Sequence, residues 1–365
     1  MLWQQEMKNN ITNIEEIAPL LRLSAEECEK LKGLCEHYPM SIPRYYLSLV
    51  NPNDPNDPIR RMCVPAVAEY SAEGDFDTSG EAGNTVASGV QHKYRESALV
   101  LTTNRCAMYC RHCFRKRLVG LDDDEILSGM DEMVKYVAGH EEITNVILSG
   151  GDSLMLPTKT LEKYLDALSK IEHLDIIRLA SRLPVVYPMR ITEDYALQGL
   201  LARVSRRKQM YVVTQFNHPT ELTPQAHEAI QALLRCGVVV KNQTVLLRGV
   251  NDSAETLSAL LRKLTAYGAV PYYVFQCRPV TGVKASFQVP FAEGCDIVEQ
   301  AKALQNGQGK CFKYCLSHPT GKIEIIGKLD DGRMVFKYHQ MKHREDDGRV
   351  FVKALPPNAA WLEEI

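Results

Sequence analysis

Thr103-Asn-Arg-Cys-Ala-Met-Tyr-Cys-Arg-His-Cys-Phe-Arg-Lys-Arg117 follows directly on an apolar run and gathers Cys106, Cys110 and Cys113 within eight residues. An apolar run ending in clustered ligands reads as a strand followed by a ligand loop. Three thiolates at x3 and x2 spacing suit a cubane [4Fe-4S] cluster, because soft sulfur selects iron-sulfur or zinc and a fourth protein ligand is missing. An iron with an open position can bind a small molecule. Zinc is the alternative, yet structural zinc asks for four closed protein ligands, and its usual modules bring two pairs. His112 offers a nitrogen, but it lies between two of the cysteines, where simultaneous tetrahedral ligation is awkward.

Downstream of this loop the pattern becomes regular. Short apolar runs at 98–102, 145–148, 176–179, 210–214, 238–241 and 272–275 alternate with amphipathic helical stretches at 124–138, 159–173, 193–206, 224–235 and 254–267. Strands separated by helices imply right-handed crossovers and a parallel sheet. Six such units fit an α/β fold, a partial (β/α)6 TIM-like barrel over residues 93–277. Residues 1–92 read as a helical, irregular N-terminal lead-in, with a Ser24/Glu27 capping box and turn-rich segments at 51–58 and 71–91. Residues 278–365 read as a small β-rich C-terminal extension, with one helix near 295–305 and strand-like runs broken by two Asp-Asp-Gly turns. Cys311 and Cys315 in that extension read as packed thiols rather than a second metal site.

A chain of 365 residues with 45% hydrophobic content and a net charge of -2 is of ordinary enzyme size and gives no basis for a nucleic-acid partner. No apolar segment approaches the ~18 residues a membrane helix needs. The N-terminal residues lack the basic and apolar regions of a signal peptide, so a cytoplasmic location is expected. The eleven cysteines are odd in number and mostly scattered singly. They are expected as free thiols in a reducing compartment, which also suits an oxygen-sensitive cluster.

Functional groups on parallel barrels gather at the C-terminal strand ends, where the loops converge on one mouth. After successive strands come the cluster loop, Ser149-Gly-Gly-Asp152, Ser181-Arg182, Gln215-Phe-Asn-His-Pro219, Gln243 at the end of the fifth, and Gln276-Cys-Arg278. Gly150-Gly151 alone is a tight turn; in register with the cluster loop, it is expected to let backbone polar groups approach the amino group of a ligand. His218 reads equally well as a structural loop histidine.

The cysteine triplet, with Tyr109 just before its second member, is the signature of the radical S-adenosylmethionine (SAM) enzymes, and within them the chain resembles the lysine 2,3-aminomutase group. The similarity spans residues 55–327 and includes Asp57-Pro-Ile-Arg60, His92-Lys-Tyr94, Met108-Tyr-Cys-Arg-His-Cys113, Leu148-Ser-Gly-Gly-Asp152, Arg182-Leu-Pro-Val-Val186, Phe216-Asn-His-Pro219 and Asn242-Gln-Thr-Val-Leu246. The resemblance implies that the open iron chelates SAM, whose cleavage yields a radical that abstracts hydrogen from an amino-acid substrate. It places Ser149, Gly150, Gly151 and Asp152 at the methionine amino end, His112 and Gln243 at the nucleoside, and Arg115 at the substrate carboxylate. It also implies an electron donor such as flavodoxin or ferredoxin, and homo-oligomers are common in the group.

In that group pyridoxal phosphate (PLP) carries the migrating nitrogen, and its resting lysine follows a run of glycines. Here Lys322 is suitably late in the chain, but only Gly321 precedes it. Lys93 matches a phosphate-contacting arginine, and Phe275 replaces a usual tyrosine. Arg278 stands where the lysine-using enzymes carry an acidic residue, so an acidic substrate such as glutamate is expected. Two other readings compete with this one: a PLP-independent radical SAM mutase or lyase, and a non-catalytic iron-sulfur or zinc protein.

Overall fold

The computed structural model describes residues 3–121 and 125–363. One twelve-stranded sheet, ordered as in the sequence, organises the chain. Its strands are β1 (Thr85–Ala87), β2 (Val90–Tyr94), β3 (Ser97–Thr103), β4 (Asn145–Gly150), β5 (Ile176–Ala180), β6 (Gln209–Thr214), β7 (Val238–Leu246), β8 (Val270–Gln276), β9 (Lys313–His318), β10 (Gly321–Lys328), β11 (Met334–Met341) and β12 (Val350–Lys353). Strands β3 to β9 run parallel, and the flanking pairs are antiparallel.

Helices Met130–Ala138, Thr158–Ser169, Tyr195–Val204, Pro224–Arg235, Ala254–Ala266 and Phe291–Ala303 each lie between consecutive parallel strands. The α/β architecture and its six βα units are therefore as expected, with β9 as a seventh parallel strand. The expected start of the first helix, at Asp124, lies outside the described residues. Three of the helices begin on a side-chain cap, with Asp194 accepting from Leu197 N, Thr223 from Ala226 N and Ser253 from Thr256 N. Each such cap satisfies one of the backbone donors a helix start leaves open and contributes about 1 kcal/mol.

The helices cover one face of the sheet. In Thr158–Ser169, Leu161, Leu165 and Leu168 are fully buried, at the i, i+4, i+7 spacing of a single stripe. Burial alternates along β7: Val238, Val240, Asn242, Thr244 and Leu246 are buried toward the helices, while Lys241, Gln243 and Val245 line a cavity on the inner face. Strand β7 runs five residues beyond the apolar run 238–241 because Asn242 bonds the backbone of Phe216 through both its oxygen (2.7 Å) and its nitrogen (3.1 Å). Gln243 is consequently within the strand and not at its end.

Both flanks extend the sheet. The lead-in contributes the Ser24/Glu27 capping box on Ala25–His37 and the antiparallel pair β1–β2. In the C-terminal stretch β9 joins β8 in parallel, so these strands continue the barrel sheet instead of forming a separate one. Gly332 and Gly348 close the two Asp-Asp-Gly turns at φ +84°, a left-handed conformation that glycine adopts without steric cost. The two ends of the sheet meet where Lys93 Nζ donates to the His318 carbonyl at 2.6 Å and Arg344 pairs with Glu96. The expected packing of Cys311 against Cys315 is not found: Cys311 precedes β9 and is exposed, whereas Cys315 is buried within it. No helix among the described residues is long and apolar enough to cross a membrane.

Candidate active site

The inner face of the sheet and the loops at its C-terminal strand ends enclose a cavity of about 570 Å³. Cys106, Cys110 and Cys113 are free, half-buried thiols on its wall. Their loop is stitched to the lead-in: Asn10 Nδ2 donates to Ala107 O (2.7 Å), Tyr109 N to Ser41 O (3.0 Å) and Arg111 N to Met62 O (2.9 Å). Beneath it, Glu69 receives Arg111 at 2.6 Å and also Lys116, all three side chains buried. Burial opposes ionisation of Glu69, but the two cations outweigh it and hold its pKa below the ordinary value. Removing one member of such a buried group costs roughly 3–5 kcal/mol.

The chemistry of the donor set is compatible with a cluster. Three cysteine sulfurs carried on one loop are soft donors of the kind that iron-sulfur clusters and zinc both take. A single zinc with bonds of about 2.3 Å draws its sulfurs together, whereas each thiolate of a cubane meets its own iron. Burial pushes the Cys113 thiol up to about 11 and the Cys106 thiol well above its ordinary value, so metal binding must displace their protons.

Gly150 and Gly151 are required by the packing of two backbones, whatever ligand their carbonyls meet. Gly151 N donates to Thr103 O at 2.5 Å and Asp152 N to Arg105 O at 2.9 Å. A Cβ on Gly150 or Gly151 would come within 2.3 Å of the Thr103 or Arg105 carbonyl oxygen respectively. The glycines thus let the β4 loop lie against the cluster loop, and the Gly151 and Asp152 amides are spent on that contact. The Asp152 carboxylate accepts from Leu154 N (3.0 Å) and Arg182 N (2.7 Å), and burial raises its pKa to about 6.

Arg115 bonds Glu81 at 2.8 Å through Nη2 and at 3.0 Å through Nε, and it reaches Ser149 Oγ at 3.1 Å through Nη1. Much of its fork is therefore engaged by Glu81, whose carboxyl is lowered to about 2 because Arg115 and Arg117 outweigh its burial. Phe114 is stacked by two guanidinium groups, Arg115 at 4.6 Å and Arg278 at 4.3 Å. Arg278 differs in that its Nη1 is buried without a hydrogen-bond partner. Burial lowers its pKa to about 10, which leaves it charged at neutral pH.

Lys322, on β10, faces the same cavity with Nζ 3.3 Å from Gln340 Oε1 and 4.2 Å from the Tyr94 ring centre. Burial, helped by Arg178 and Lys93, lowers its pKa to about 7. Lys93 is likewise lowered to about 7, by burial and then by Arg278 and Lys342. His112 is buried against Asn217 (3.2 Å), and burial keeps its imidazole neutral. Gln243 lines the same cavity. His218 is absent from the cavity lining; it caps a local turn through Thr220 N at 3.2 Å.

Glu81, Tyr94, Arg178 and Lys241 also line the cavity, and sequence reading gave none of them a role. Tyr94 and Lys241 fall in segments already noted, but no local pattern marks Glu81 within the turn-rich stretch 71–91.

No family model matches the chain. It is 41% identical to an Aquifex aeolicus protein provisionally named L-lysine 2,3-aminomutase, over 93% of this chain and 91% of that one. Against L-lysine 2,3-aminomutase of Clostridium subterminale the identity is 36%, over 89% of this chain and 76% of the other. Glutamate 2,3-aminomutase of Clostridioides difficile is 34% identical, over 87% of this chain and 74% of its own length.

Proposed function

The chain belongs to the lysine 2,3-aminomutase family of radical SAM isomerases, and on that premise we propose that it moves the amino group of an acidic amino acid, glutamate first, from the α to the β carbon. Cys106, Cys110 and Cys113 hold the [4Fe-4S] cluster that binds SAM, and Lys322 holds PLP. When bound, the cluster with SAM supplies the species that removes hydrogen from the substrate, and PLP supplies the aldehyde that carries the migrating nitrogen.

The observation that carries the choice of substrate is Arg278, a charged guanidinium with a buried, unpartnered Nη1 in the cavity wall. Such a donor is costly to leave unmade and is satisfied by a carboxylate. An ammonium group brought within 4 Å of it meets repulsion of about 4 kcal/mol at an effective dielectric of 20. Arg178, Lys241 and Arg278 line the same space, while its two carboxylates, Glu81 and Asp152, are already engaged. This positive excess favours a phosphate and carboxylates together.

The remaining chain groups bind and orient. Lys322, with its pKa lowered to about 7, presents a substantial fraction of neutral amine near neutrality, the form that condenses with an aldehyde. Lys93 offers its amine to a phosphate, and the Phe114 ring carries the Arg115 and Arg278 guanidinium groups. An electron donor such as flavodoxin or ferredoxin completes the system. The test is anaerobic reconstitution with iron, sulfide, PLP and SAM, followed by glutamate or lysine, with deoxyadenosine and the β-amino acid measured. Glutamate turnover is expected; robust turnover of lysine in its place overturns the assignment of Arg278.

A further inference from the structure

Arg182, directly after β5, donates from Nη1 to the sulfur of Cys110 at 2.7 Å. Its other branches are fixed, with Nε on the Gln215 carbonyl at 3.0 Å and Nη2 on Glu221 at 2.6 Å. Glu221 is itself fully buried, accepting from Tyr46 Oη (2.6 Å), Asn217 N (2.6 Å) and His218 N (3.0 Å). The backbone N–H of Arg182 is tied to Asp152 at 2.7 Å. Two of the three guanidinium nitrogens and the backbone are therefore fixed, and the remaining nitrogen ends on the sulfur of Cys110.

We propose that Arg182 is a positioning residue for the cluster: it aims the Cys110 thiolate and raises the reduction potential of the cluster, an inference that rests on the cluster reading of Cys110. Hydrogen bonds to the ligand sulfurs, together with net charge, are among the terms that set such potentials. A donor and a positive charge beside sulfur favour the more negative, reduced form. Partners outside the ligands also fix ligand orientation.

Removing Arg182 alone strands the buried Glu221 charge, so the informative variant is the double change Arg182→Gln/Glu221→Gln, which takes out both charges and keeps polar side chains. Wild type and variant are reconstituted anaerobically, assayed for iron and sulfide, and titrated potentiometrically with electron paramagnetic resonance detection. The double variant is expected to shift the reduced-to-oxidised ratio at fixed potential at least tenfold toward oxidised, about 59 mV for a one-electron couple. Arg182→Lys, which keeps the charge and loses the fork, is expected to recover part of that shift. A double variant that takes up no cluster while its circular dichroism and melting temperature stay those of the wild type supports the orienting role. A full cluster with the wild-type midpoint in both variants overturns the proposal. A wild-type protein that takes up no cluster overturns the cluster reading itself, so the two failures are told apart.

Discussion

Arg278→Gln tests the substrate reading most directly, because it removes the charge without adding a new one next to Glu81. Arg278 stacks on Phe114 at 4.3 Å and offers its unpartnered Nη1 to the cavity. Loss of the stacking costs roughly 0.5–2 kcal/mol of stability, which a folded domain tolerates. A hydrogen bond to a charged partner is worth roughly 1.5–3 kcal/mol. At 1.4 kcal/mol per tenfold, kcat/KM for glutamate should fall by about 10- to 150-fold. Arg278→Asp, which sets a carboxylate against that of the substrate, should fall at least as far. The assay is the initial rate of β-amino acid formation by reconstituted enzyme over a range of glutamate concentrations, with cluster and PLP content matched between variants. Unchanged kcat/KM in Arg278→Gln, with lysine turned over by the wild type, refutes the reasoning.

Replacing Cys106, Cys110 or Cys113 with alanine should abolish the brown chromophore and SAM cleavage, while Cys311→Ala, at an exposed thiol before β9, should affect neither; the readouts are visible absorbance and deoxyadenosine. Borohydride should fix PLP covalently to the peptide containing Lys322, and Lys322→Ala should remove that label as judged by mass spectrometry. Since burial holds the Lys322 pKa down to about 7, the neutral amine grows as pH rises through that value and is lost below it. The initial rate of PLP loading, followed by absorbance, should therefore drop about tenfold per pH unit at pH well below 7, and a flat profile from pH 5 to 9 contradicts this. Gly151→Ala, whose new Cβ meets the Arg105 carbonyl oxygen at 2.3 Å, should separate the β4 loop from the cluster loop. It should lower the melting temperature and reduce iron uptake together; an unaltered variant contradicts the loop-packing account.

The parallel sheet was legible because each inner strand is a short apolar run flanked by turn residues, as at Ile176–Ala180, and each crossover helix carries a single apolar stripe. That Cys106, Cys110 and Cys113 share one cavity wall was legible because they are local in sequence. Strand β9 was harder to read: Lys313 and His318 bound it, and its partner in β8 lies about forty residues upstream, so nothing local separates it from an appended hairpin. The clamp Arg115–Glu81 and the group Arg182–Glu221–Tyr46 join residues 34 to 175 positions apart, and such pairing leaves no periodic trace. The glycine pair was found for its position, but its cause, contact with the Thr103 and Arg105 backbone, becomes visible only once two strand ends are side by side.

The stitching of the thiol loop to the lead-in and the closure of the cavity by the last strands set an order for biogenesis. The three cysteines and their anchors Ser41, Met62 and Glu69 have all been synthesised by residue 117, yet Lys322 and Gln340, which finish the cavity wall, come more than two hundred residues later. At about 5–20 residues per second, that interval on the ribosome is roughly ten to forty seconds. Throughout it the strands that finish the cavity wall beside the thiols are still to be made. Completion of the cavity is thus deferred to the end of translation, and a chain stalled before β10 carries the three thiols without the wall that Lys322 and Gln340 supply.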